Sequence, residues 1–148
     1  SDLMFNIKRV LSCMGRLSPK YKDKTIKQKI IEIEDTPSAN IIQYFIDSIK
    51  FIDETDDKVL VHCFAGVSRS AALVIAYLMW KNKISYQDSY NLVKDHRFIG
   101  PNIGFRKQLL IFEQKLKDSN YELDKINLSD ISWPPPEGFS YSFFKDIK

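Results

Sequence analysis

Residues 59–83 dictate more of this chain's architecture than any other stretch. Val59-Leu60-Val61 is a short unbroken apolar run between turn signals, as expected of a strand buried on both faces. Residues 68–83 hold Ala71, Ala72, Leu73, Val74, Ile75, Ala76, Leu78, Met79 and Trp80 with almost no polar break. A helix apolar all round belongs in the middle of a domain. Between strand and helix lies His62-Cys63-Phe64-Ala65-Gly66-Val67-Ser68-Arg69-Ser70, so the chain must turn from one to the other through a loop with a cysteine at its start.

The spacing inside that loop has chemical consequences. A Cys at a strand end, five residues, then an Arg in the first turn of a helix lets the chain curl around one point. The backbone N–H groups of Phe64, Ala65, Gly66, Val67 and Ser68 then aim inward, and the helix N-terminus adds about half a positive charge. Such a cup suits a tetrahedral dianion such as phosphate. Arg69 can close it with two parallel N–H···O bonds, which a lysine cannot supply. The same field favours thiolate over thiol, since cysteines so placed titrate at roughly 3.5–7.5. Cys63 is thus expected to be an anion facing bound phosphorus. The bland alternative, a buried cysteine and a surface arginine, leaves Gly66, Arg69 and Ser70 in register for no reason. No Gly-x4-Gly-Lys-Ser/Thr pattern is present, so a nucleotide P-loop is not a competitor.

The flanking elements complete an α/β order. Residues 7–13 (IKRVLSC) and 26–34 (IKQKIIEIE) read as strands, joined by a basic, polar connection with the turn-formers Gly15, Ser18 and Pro19. Pro37 and Ser38 open a helix with Ile41, Phe45, Ile49 and Ile52 on its apolar stripe, widened by Ile42 and Ile46. The acidic turn of residues 53–57 ends it. Ser85, with Asp88 three residues on, starts a further helix carrying Tyr86, Tyr90 and Val93. After Gly100-Pro101-Asn102 a last helix places Phe105, Leu109, Phe112 and Leu116 on one face. Strands alternating with helices predict a central, mostly parallel sheet flanked by helices, with right-handed crossovers.

Beyond Ser119 the signal weakens. Residues 131–148 contain Trp133, three consecutive prolines and the cluster Phe139, Tyr141, Phe143 and Phe144. The expectation is a catalytic domain over residues 1–118 and a C-terminal arm over 119–148, packed on the domain or partly flexible. The period-two spacing of Phe139, Tyr141 and Phe143 also allows an edge strand.

Composition bounds the partners. With 22 Lys and Arg against 19 Asp and Glu, the net charge of +3 is too small for nucleic-acid binding by bulk charge. No apolar run approaches the ~18 residues of a membrane span. The opening residues lack a basic-then-apolar order, so no signal peptide is expected. Two cysteines in 148 residues make no disulfide framework and favour a reducing setting, cytoplasm or nucleus. Oligomeric state is not readable.

A thiolate that displaces an alkoxide or phenoxide needs a proton donor for the leaving group. That donor must reach the cup from another loop at the carboxyl ends of the strands. Asp35, directly after the second strand, meets this requirement. Glu32 and Glu34 compete, but side chains within a strand project to the sheet's faces rather than off its end. The alternative for Asp35 is a helix-capping role near Pro37.

HCFAGVSRS resembles the loop of the cysteine-dependent phosphatases, and its Ala-Gly-x-Ser-Arg-Ser form that of the dual-specificity protein phosphatases. Residues 34–41 with Tyr44-Phe45 and Phe51-Ile52 are similar to that family's acid loop and following helix. Ala76-Tyr77-Leu78-Met79 and Ile99-Gly100-Pro101-Asn102 with Gly104-Phe105 match its later helices, closest to the small VH1-related type. The resemblance covers about residues 7–116. It implies hydrolysis of phosphotyrosine and phosphoserine/threonine on phosphorylated proteins through a phosphocysteine on Cys63. Arg69 and the loop amides would bind phosphate, and Asp35 would act as general acid, then base. Ser70 would ease departure of the thiolate, His62 would shape the loop and Asn102 would brace it. Arg97 matches a position able to bind a second phosphate. The resemblance also implies N-terminal elements ahead of residue 7, which are expected to be missing or short here, with the tail after Ser119 available to cover the sheet edge.

No cofactor is expected, because amides and Arg69 already supply charge stabilisation. Two rival readings remain at this point. One is a phosphopeptide-binding module with little turnover. The other is a phosphatase acting on an RNA 5′-phosphate or a phosphoinositide, although Phe64, Ala65 and Val67 offer none of the positive charge a polyanion wants. Cys13 ends a strand on the same side of the sheet as Cys63. It is expected to be a core cysteine, with a protective disulfide to Cys63 as the alternative.

Overall fold

The computed structural model describes residues 7–14, 20–21, 23–65 and 67–139. Three strands, β1 (Arg9–Met14), β2 (Lys27–Glu32) and β3 (Val59–His62), form a wholly parallel sheet in the order β2-β1-β3. Four helices flank it: α1 (Phe45–Asp53), α2 (Arg69–Asn82), α3 (Tyr86–Lys94) and α4 (Ile103–Asp118). The expected α/β architecture is therefore present. Gly15, Ser18, Pro19, Gly66, Tyr141, Phe143 and Phe144 lie outside the described residues.

The position of the strands differs from expectation in one respect. The strand buried on both faces is β1, where Val10, Leu11, Ser12 and Cys13 are all inaccessible. Val59, Leu60 and Val61 are only half-buried, because β3 has a neighbour on one side alone among the described strands. A continuous apolar run cannot by itself distinguish a central strand from an edge packed under a helix.

Helix α2 packs against the other three helices and against β1 and β3, which explains its apolar circumference. Its chain ends at Lys83 in the left-handed conformation, whose N–H closes on the Met79 carbonyl. Helix α3 starts where expected, with the Ser85 side chain accepting the Asp88 N–H. On α4, Asn102 caps the helix by accepting the Phe105 N–H, and Phe105, Leu109, Phe112 and Leu116 are buried. Phe45 of α1 meets Phe112 edge to face at 5.1 Å between centroids.

Two boundaries move. Strand β2 stops at Glu32 rather than Glu34, and Pro37-Ser38 form a turn rather than a helix start. The chain becomes helical only at a 3₁₀ turn, Ile42–Tyr44, that runs into α1. The cause lies elsewhere in the sequence. Gln108 of α4, fully buried, accepts the N–H groups of Ile41 and Ile42 at 2.9 and 3.0 Å through Oε1. Its Nε2 donates to the carbonyls of Ala39 and Gly104. One amide side chain thus satisfies backbone groups that would be costly to bury unpaired, and it fixes where the helix begins.

The described part of the tail, residues 120–139, adds no strand to the sheet. Tyr121, Leu123, Ile126, Leu128, Ile131 and Trp133 pack on the core instead. Among the described residues no helix is long and apolar enough to cross a membrane.

Candidate active site

Cys63 follows β3 directly and is 9% exposed, at the base of the loop that leads into α2. Its Sγ lies 3.2 Å from the buried Ser70 hydroxyl in the first turn of that helix. A hydroxyl at this distance can donate to a thiolate. Ser68 occupies the N-cap position of α2, yet its side chain makes no capping bond to its own helix. Its Oγ donates to Asp35 Oδ1 at 2.7 Å and accepts the Asn102 N–H at 3.0 Å. Ser68 thereby leaves the first-turn amides of α2 uncapped by its own side chain, which is how a helix N-terminus receives an anion.

Arg69 sends Nη1 to the Ile33 carbonyl at 2.9 Å, bridging from the loop to the segment that carries Asp35. Its Nε is buried with no hydrogen-bond partner among the described residues. A buried cationic donor without an acceptor is costly, so an anion bound beside it would recover that cost.

Asp35 sits in the exposed turn beyond β2 and is drawn onto the loop by two donors to one oxygen. Besides Ser68, Asn102 Nδ2 donates to Oδ1 at 2.9 Å. Asn102 therefore contacts Ser68, Asp35 and the start of α4 at once. The Gly100 N–H adds a bond of 2.7 Å to the Val67 carbonyl. Glu32 and Glu34 are exposed, and the hydrogen bonds to the loop belong to Asp35.

His62 is half-buried, and burial holds its imidazole pKa below the usual 6.5. Its Nε2 lies 2.6 Å from the Ser12 hydroxyl, which accepts from Gln28 Nε2 at 2.9 Å. A polar relay thus crosses all three strands behind the loop. Cys13, in the centre of the sheet, has its thiol pushed up to about 12. Burial is the main cause, the Cys63 sulfur adds to it, and Arg69 offsets part. Cys13 is consequently a protonated core thiol, and no disulfide joins it to Cys63.

The remaining residues of interest differ in exposure. Phe64 and Phe98 are each 84% exposed, Ala65 is exposed and Val67 is half-buried. Arg97 is exposed on the segment after α3. Among the described residues no three His, Cys, Asp or Glu side chains gather as a metal site.

Several functional contacts escaped sequence reasoning. Ser12 is the one polar residue among the inaccessible positions of β1, and Gln108 the one amide on the core face of α4; both are signals of buried hydrogen bonding. Gln28 and Trp133 gave none. The Trp133 indole donates to the Pro37 carbonyl at 2.9 Å across 96 residues of sequence. On the other side, Gly104 allows Pro37 to approach so closely that a Cβ there would stand 1.9 Å from the same oxygen.

A thiol at the carboxyl end of a parallel strand, beneath a helix that starts with arginine, is the arrangement of the cysteine-dependent phosphatase fold. The model of the dual specificity phosphatase catalytic domain matches residues 3–115. A probable dual specificity protein phosphatase of Dictyostelium discoideum is 46% identical over 116 residues, 76% of this chain and 29% of the relative. Human dual specificity protein phosphatase 6 is 43% identical over 117 residues, 76% of this chain and 31% of the relative. Among solved structures, DUSP15 aligns with a TM-score of 0.72 at 32% identity, covering 80% of this chain and 78% of its own. The human tyrosine phosphatase-like serine/threonine/tyrosine-interacting protein aligns with a TM-score of 0.71 at 33% identity, covering 75% and 79%. The chain belongs to the dual specificity phosphatase family, and it carries that family's catalytic domain. It spans less than a third of the two curated relatives' lengths.

Proposed function

We propose that this protein hydrolyses phosphotyrosine and phosphoserine/threonine on phosphoproteins through a phosphocysteine on Cys63. In the first step the Cys63 thiolate attacks phosphorus and forms the S–P bond. The P–O bond to the side chain breaks as Asp35 transfers its proton to the departing oxygen. Loop amides and the Arg69 guanidinium carry the charge that spreads over the equatorial oxygens. In the second step Asp35 takes a proton from water, which attacks phosphorus. The S–P bond breaks, inorganic phosphate leaves, and a hydrogen bond from Ser70 receives the charge returning to sulfur.

The observation that carries this reading is the bridge Asp35–Ser68–Asn102, which holds a carboxylate from one loop against the loop that begins with Cys63. A helix cap alone would not need both partners. The second reading, a phosphopeptide-binding module with little turnover, draws on the likeness to a tyrosine phosphatase-like interacting protein. One experiment separates them. Wild type should release phosphate from an aryl phosphate and from phosphopeptides without added metal, and Cys63→Ser should abolish release. Asp35→Asn should slow substrates with poor leaving groups by about 10²–10⁴-fold and good ones far less. Tight phosphopeptide binding with no single-turnover phosphate release would establish the binding module instead.

A further inference from the structure

We propose that Trp133, in the C-terminal arm, is a positioning residue for the general acid. The inference rests on the reading of Asp35 as that acid, and it extends the catalytic apparatus beyond the family-matched residues 3–115.

The arm is fastened to the domain at successive points. The Trp80 indole donates to the Tyr121 carbonyl at 3.0 Å, Asp124 pairs with Lys50 of α1, and Asp130 accepts from Lys115 of α4 at 2.9 Å. The last two pairs reach into solvent and contribute little each. Leu123, Ile126, Leu128 and Ile131 packed on the core do most of the holding. The arm then delivers Trp133 to the acid loop, where its N–H meets the Pro37 carbonyl at 2.9 Å.

That carbonyl lies two residues beyond Asp35 and is held at two points. Gly104 of α4 forms one wall, since any Cβ there would collide with the Pro37 backbone. Trp133 supplies a hydrogen bond to the same oxygen. Between them they fix the height of the turn from which Asp35 reaches Ser68 and Asn102. Asp35, Thr36, Pro37 and Ser38 are all exposed, so the turn has little burial of its own to define its position. In the step that forms the phosphocysteine, misplacing a proton donor costs rate only where the leaving group needs the proton. In that step the strap therefore acts on poor leaving groups and leaves good ones alone.

The test is carried out on the full 148-residue chain. Trp133→Phe keeps an aromatic ring in place and removes the N–H donor. It should lower kcat/KM on a phosphoserine peptide by about three- to tenfold, the scale of one lost hydrogen bond. kcat/KM on an aryl phosphate with a strongly acidic phenol reports only the step that forms the phosphocysteine, and it should not change. In an Asp35→Asn background Trp133→Phe should add nothing on either substrate. Equal slowing of both substrates by Trp133→Phe, no slowing of either, or a full additional loss in the Asp35→Asn background overturns the strap. Equal slowing of both substrates by Asp35→Asn itself overturns the acid assignment instead, so the two failures are distinguishable. A readout that needs no variant comes from the two indole N–H resonances of the intact protein. Both should exchange slowly with water, and fast exchange at Trp133 overturns the contact.

Discussion

The loop from Cys63 to Arg69, proposed to bind phosphate, and the turn that carries Asp35, the proposed acid, meet through Ser68, yet they are built in opposite ways. The first is local: β3, Cys63, Ser68, Arg69 and Ser70 fall within a dozen residues, and strand and helix set its curvature. The second is a turn with few internal contacts, whose place is fixed by residues far away in sequence. Ser68, Asn102, Gly104, Gln108 and Trp133 all act on residues 35–42. A cup closed by a strand end and the next helix can be encoded as a motif. A donor that must meet it from another loop has to be placed by the whole domain. Damage to the two loops should accordingly look different in kinetics.

The largest effect is expected from the local side. Arg69→Lys keeps the positive charge and loses the planar fork, together with the Nη1 bond to the Ile33 carbonyl. Kcat/KM should fall by about 10²–10³-fold, and by the same factor for good and poor leaving groups, because the guanidinium serves the phosphoryl group itself. A fall confined to phosphoserine substrates would show that Arg69 acts mainly by tethering the acid loop through Ile33.

The next effect probes the distant side. Gly104→Ala must push the Pro37 carbonyl away or displace the first turn of α4, since 1.9 Å leaves no room for a methyl group. Turnover of poor leaving groups should drop by about 10- to 100-fold, the range associated with misplacing a group by around an ångström. An aryl phosphate with a good leaving group should keep most of its rate. Equal losses on both substrates, at an unchanged melting temperature, would mean that Gly104 supports the phosphate loop rather than the acid.

The same division explains what the sequence made legible. That Cys63 and Ser70 meet is legible because their spacing across strand, loop and helix is a geometric instruction in itself. That Asp35 rather than Glu32 or Glu34 bonds to this loop follows from its place past the strand end, although the strand stops earlier than its β-branched residues suggest. The start of α1 was misplaced because the N–H groups of Ile41 and Ile42 are satisfied by Gln108, 66 and 67 residues away. No local propensity reports such a bond. That β1 rather than β3 is the strand buried on both faces has a related cause. Burial in a parallel sheet depends on strand order, which is settled by tertiary packing rather than by any one strand's residues.

The smallest effect concerns the relay behind the loop, where local and distant construction meet. His62 belongs to the motif, but its partners Ser12 and Gln28 come from β1 and β2. Burial lowers the imidazole's folded pKa below the unfolded 6.5. The folded state thus binds fewer protons than the unfolded state in the interval between those values. His62 contributes stability that is fully present above 6.5 and lost as pH falls through that interval toward the folded pKa. Urea unfolding followed from pH 7 to about 5.5 should show declining stability in wild type, and a flatter profile in His62→Asn. Equal slopes in wild type and His62→Asn would mean that the imidazole accepts a proton within the fold. Ser12 would then be bonded to a cation, and the neutral relay across the sheet would have to be abandoned.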